Sequence, residues 1–156
     1  MAAQDIPHQK ASGDVTVYLL TRLGMKVDFA AVDWGTVVAR RAQKSPPTKG
    51  GWHMYHTSIS GVDAVAPISP LLHANGSSLV NGWANSPAVA AEIGAWFDAT
   101  TAEGEKAAAG RLNKAFLDDV VYAPLGWFPR YNAWRRNLAG VTQGPLPFFW
   151  GVSKTT

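Results

Sequence analysis

From Ile6 to Leu23 the apolar residues Val15, Leu19, Leu20 and Leu23 recur at helical spacing, which predicts a first helix. Gly24 follows as its stop, because glycine takes the left-handed cap conformation without a steric penalty. Met25 to Val32 alternates apolar and polar residues over much of its length and reads as a strand. Asp33 is placed to N-cap a second helix running from Trp34 to about Gln43. The Pro- and Gly-rich stretch from Lys44 to Gly51 is a loop, and Trp52 to Thr57 reads as a second strand.

Two later helices carry clear start signals. Ser86 is a capping residue before Pro87 at the first helical position, and apolar residues continue through Phe97. Thr100-Thr101-Ala102-Glu103 has capping-box spacing ahead of a helix that reaches about Asp118. Asn75-Gly76 and Asn81-Gly82 mark turns between the second strand and these helices. From Val121 onward the chain reads as short strands and turns, rich in aromatics and prolines.

Helices alternating with strands predict an α/β fold with at least part of a mixed or parallel sheet. Two strands make a poor sheet, so a further strand is expected just before Met1. Composition narrows the picture. The chain has 156 residues, 47% of them hydrophobic and 16% charged, which suits one folded domain with a real core. No stretch approaches the ~20 apolar residues of a membrane span. The first residues lack the basic and apolar regions of a secretory signal. There are no cysteines, which excludes disulfides, thiolate metal sites and cysteine nucleophiles. The formal charge is +3, and the basic residues occur as scattered pairs such as Arg40-Arg41 and Arg135-Arg136 without a dense stripe. Nucleic acid is therefore not an expected partner, even though Arg130, Arg135 and Arg136 flank Tyr131 and Trp134. Seven tryptophans point instead to large apolar contacts, in a core or around a ligand.

A family likeness rests on several stretches in order. Leu19-Leu20-Thr21-Arg22-Leu23-Gly24-Met25-Lys26-Val27-Asp28, followed by Val32-Asp33-Trp34-Gly35-Thr36, resembles a stretch of the solute-binding proteins that serve peptide- and nickel-type ABC importers. Tyr122-Ala123-Pro124-Leu125-Gly126 and Ala133-Trp134-Arg135-Arg136-Asn137-Leu138-Ala139-Gly140-Val141 look like the C-terminal signature of the same family. The ending from Gly144 to Val152 is similar to one branch of it. The resemblance implies a part of the second lobe of a type II periplasmic-binding-protein fold over residues 1–125. Residues 126–156 would then cross back and pack on the first lobe. It also implies capture of a peptide-like solute in the periplasm and delivery to a membrane permease, without cofactor or covalent chemistry.

On that resemblance the loop after the second strand lines the ligand cleft. Thr57, Ser58 and Ser60 offer hydroxyls at the C-terminal end of a strand, the usual ligand position in open α/β sheets, or else form an ordinary polar loop. Asp63, four residues before Pro67 as in the family, would receive a ligand ammonium, or else N-cap the following helix. Ile59 stands where relatives often carry a tryptophan. Trp83 and Trp127 are either cleft walls or packing residues.

An acyl-transfer reading of His56, Ser58 and Asp63 finds no Gly-x-Ser-x-Gly elbow and no oxyanion hole. His53 and His56, three apart on a strand, point to opposite faces and make no metal pair. His8 and His73 are read as isolated and solvated, and the acidic residues Glu92, Glu103, Glu105, Asp118 and Asp119 as a solvated helix face. Trp134, Phe148, Phe149 and Trp150 would expose an apolar patch in the absence of the first lobe, so a homo-oligomer is expected, with open sheet edges as a second route. A stand-alone interaction module using the tryptophan-rich tail is the alternative function.

Overall fold

The computed structural model describes residues 1–69, 74, 76, 82–144 and 146–155. His73, Asn75 and Asn81 lie outside the described residues. The two turn glycines beside them, Gly76 and Gly82, have φ of 75° and 77°.

The first half is a small parallel α/β unit. Strand β1 (Ala2–Ala3) leads into helix α1 (Pro7–Arg22), which crosses to strand β2 (Ala31–Val32). A parallel pair needs such a crossover, and β1 and β2 pair in register Ala2 with Ala31 and Ala3 with Val32. Strand β1 was not anticipated from the sequence, because its run is too short and alanine-rich to carry a strand signal. Of the strand expected from Met25 to Val32, only the last two residues pair.

The segment 52–57 forms no strand, but it flanks the other side of β1. The Met1 ammonium donates to the Met54 carbonyl at 2.7 Å, and His56 N–H donates to the Met1 carbonyl at 3.0 Å, as in a parallel bridge. Gly13 brings α1 close to this layer, since a Cβ there would lie 2.8 Å from the Ala2 Cβ and 2.9 Å from the Phe29 ring. Helix α2 (Trp34–Arg41) packs on β1 and buries Val37. Asp33 caps it as expected, accepting from Thr36 N–H at 3.0 Å, and Asp5 accepts from Trp34 N–H at 2.9 Å.

The second half is a helical hairpin. Helices α3 (Pro87–Phe97) and α4 (Ala102–Asp118) meet over Val89, Leu112, Ala115 and Phe116, with Ala74 buried in the same cluster. Ser86 N-caps α3 by accepting from Val89 N–H at 3.1 Å, and its hydroxyl donates to Asp119 at the far end of α4. Thr101 caps α4 by accepting from Gly104 N–H at 3.1 Å. This moves the cap one residue beyond Thr100, so Glu103 does not close the expected capping box.

Helix α4 ends in a Schellman turn: Val121 N–H donates to the Phe116 carbonyl and Val120 N–H to that of Leu117. The left-handed position is filled by Val120, at φ 49°, where a β-branched residue is strained. In the tail, β3 (Leu138–Ala139) pairs antiparallel with β4 (Ser153–Lys154), and Thr142 bridges Phe148.

The inward face of α1 is not its apolar one. On α1 the buried positions are Gln9 and Gly13, whereas Val15, Leu19 and Leu23 face outward. The close approach at Gly13 fixes which face turns inward, and it is the small, polar one. Helical spacing alone cannot say which face that will be.

Candidate functional site

The loop of residues 57–60 leaves the sheet beyond the segment that flanks β1, close to the first turn of α1. Ser58 Oγ lies 3.0 Å from His8 Nε2. The His8 ring in turn packs against Phe128 of the tail, with centroids 4.6 Å apart. Three distant stretches, at residues 8, 58 and 128, thus meet at one exposed point. His8 is exposed, as its sequence context suggests, but it is not isolated. Nothing local in the sequence marks this meeting, because it follows from the pairing of β1 with segment 52–57.

Thr57, Ser58, Ile59 and Asp63 are exposed, and Ser60 is half-buried. Gly61–Ala64 forms a single 3-10 turn with Ser60 at its N-cap and Asp63 inside its first turn. Asp63 is therefore no N-cap, and its backbone N–H donates to the Ser60 carbonyl at 3.0 Å. Its carboxylate faces solvent. Trp127 is 89% exposed, next to the Phe128 that contacts His8. Trp83 is half-buried and packs on Trp52 at 5.4 Å between centroids, with the Lys44 ammonium 5.8 Å from its ring.

His56 serves the scaffold. It is buried, its Nε2 lies 3.0 Å from Thr16 Oγ1, and its Nδ1 is 3.4 Å from the Met1 carbonyl. The Thr16 hydroxyl donates onward to the Ser12 carbonyl at 2.9 Å. Burial pushes the imidazole below its ordinary value of 6.5; the bond to the Met1 carbonyl opposes this and the nearby amino terminus adds to it. His56 faces Thr16 and not Ser58, so the His56–Ser58–Asp63 grouping does not assemble. His53 is exposed while His56 is buried, in keeping with opposite faces. Among the described residues no group of three His, Cys, Asp or Glu is placed to hold a metal ion.

A shallow groove between α3 and α4 is lined by Ala88, Ala91, Glu92, Arg111 and Lys114. Four of its charges are paired, Arg111 with Glu92 at 2.8 Å and Lys114 with Asp118, and Asp119 at its edge accepts from the Ser86 hydroxyl. Among the described residues no helix is long and apolar enough to cross a membrane.

No protein-family model and no solved structure matches the chain. A curated relative does. Over 155 residues, 99% of this chain, it is 27% identical to a probable peptide ABC transporter periplasmic-binding protein of Sinorhizobium fredii. The chain spans 29% of that relative's length. The resemblance carried by the scattered motifs is thus a similarity that runs along the whole chain.

Proposed function

We propose that this chain forms one wall of a peptide-like solute site in the periplasmic binding component of an ABC importer. The observation that carries the reading is the similarity to a peptide-binding transport protein over 99% of the chain. The geometry supports it. Thr57, Ser58, Ile59, Ser60 and Asp63 occupy one loop beyond the sheet, and the Asp63 carboxylate is exposed and ready to receive a ligand ammonium. Trp127 supplies an exposed apolar surface beside the Phe128–His8 contact.

In this reading residues 1–125 belong to the second lobe, residues 126–156 cross to the first, and a membrane permease receives the solute. Recognition is non-covalent and needs no cofactor. A single wall binds weakly, because the contacts of the facing lobe are part of a closed cleft. Titration of short peptides while following tryptophan fluorescence tests it. A saturable change weakened at least tenfold by Asp63→Ala supports the site. An unchanged signal, both alone and with the complementary lobe supplied as a separate chain, refutes it.

One observation favours a second reading, in which the tail grips a partner protein. Tyr131 is 90% exposed, and Phe149 and Trp150 are nearly as open. Loss of partner binding on truncation after Leu125, with peptide binding absent throughout, would select it.

A further inference from the structure

Residues 122–134 run as a strap from the α3–α4 hairpin to the N-terminal unit. They have no regular secondary structure, and all of them are exposed. Among the described residues no backbone hydrogen bond holds this stretch. Two ring contacts anchor it instead. Tyr122 packs on Phe116 of the hairpin core with centroids 5.1 Å apart, and Phe128 packs on His8 of α1 at 4.6 Å. Trp127 and Tyr131, on either side of the second anchor, are 89% and 90% exposed, whereas Phe128 is 47% exposed.

The second anchor differs from the first in being polar on its other side. His8 Nε2 lies 3.0 Å from Ser58 Oγ. A neutral imidazole and a hydroxyl can make this bond with either one donating, because the hydroxyl rotates to suit. The bond fixes the plane of the imidazole, which stands at 43° to the Phe128 ring. Ring contacts depend on such angles, so the orientation that suits Ser58 also sets how Phe128 packs. His8 itself sits in the first turn of α1, a helix seated on the sheet through Gly13.

We propose that His8 is a clasp that couples the loop of residues 57–60 to the strap, so that a change at Ser58 is passed on to Phe128 and to Trp127 beside it. The coupling needs no solute. Its use in binding rests on the solute reading above. There His8 is a positioning residue: it holds Ser58 with one side of its ring and keeps the Trp127–Phe128 pair beside the loop with the other. A solute that engages the Ser58 hydroxyl takes it from His8, frees the ring and loosens the strap. Binding at the loop and release of the segment that crosses toward the facing lobe are then one event.

Limited trypsin digestion of the full chain reads the strap, because Arg130 follows closely on Phe128. His8→Ala should speed cleavage after Arg130 by roughly threefold or more, with an unchanged circular dichroism spectrum. Ser58→Ala should speed it by about twofold in the native background and not at all beside His8→Ala, where the clasp is already open. Proton magnetic resonance gives a second readout on the four histidines. The His8 ring signal should move in both Phe128→Leu and Ser58→Ala, while that of exposed His53 stays in place. Short peptides then test the clasp in binding: they should speed cleavage after Arg130 in the native chain and not in His8→Ala. No response to peptide, with the Ser58 effect still dependent on His8, overturns the use in binding and leaves the coupling standing. Equal cleavage of the native chain and His8→Ala overturns the coupling itself, as does a Ser58→Ala effect that persists without His8.

Discussion

The two halves of the molecule solve the same problem with opposite means. The α3–α4 hairpin brings apolar side chains from a short stretch of chain into one cluster, with Val89, Leu112 and Phe116 buried together. Its ends are capped by Ser86 and Thr101, and its contacts are local. The N-terminal unit joins residues about 30 and 54 positions apart through β1 and buries mainly Ala2, Ala3, Gln9, Gly13 and Val37. Its larger apolar side chains on α1 stay outside. The hairpin holds itself together, whereas the N-terminal unit has its pairing in place and much of its apolar surface still uncovered.

Breaking the hairpin's core should give the largest effect. Phe116→Ala removes the largest fully buried side chain and should cost about 3 to 5 kcal/mol in a urea titration. A loss below about 1 kcal/mol would show that the hairpin does not govern stability. The matching insult to the N-terminal unit is Gly13→Val, which drives new methyl groups into Ala2 and Phe29 and should cost about 1 to 3 kcal/mol. Two separate unfolding steps in that variant would show that the halves unfold independently.

Ser86→Ala removes both the α3 cap and the link to Asp119, and should cost about 1 to 2 kcal/mol. Val120→Gly works the other way. It relieves the left-handed strain at the end of α4 and should stabilise by about 1 kcal/mol, raising the thermal midpoint. The smallest effect falls on the N-terminal unit. His56 is held below its ordinary value of 6.5, so protonation favours the unfolded chain. Its contribution is intact above that value and is lost as pH falls below it. The urea midpoint should therefore drop between neutral and mildly acid pH, and less so in His56→Gln.

Helix ends were legible because their signals are local. Asp33, Ser86-Pro87 and Gly24 each act within one turn, and the helices start or stop beside them. The Thr100–Glu103 box misled by one residue because Thr101 is an equally good cap. The tail, too, read correctly as short strands and turns. Strand β1 was hidden, since two alanines show no alternation and gain their place only from partners on either side. Of the candidate site, Thr57 to Asp63 could be picked out by residue type and family likeness. His8 and Phe128 could not, because the His8–Ser58 and His8–Phe128 contacts join residues 50 and 120 positions apart.

By itself, then, the sequence determined where helices begin and end, that helix and strand are mixed, and which loop is rich in polar groups. These properties depend on short-range sterics and hydrogen bonds written into neighbouring residues. Only the tertiary structure decided that α1 turns its small, polar side inward, that β1 lies between two partners, and that His8 rather than His56 stands beside Ser58. Each of those outcomes turns on close approach between distant segments, above all at Gly13, where the absence of a side chain allows the helix to settle on Ala2 and Phe29.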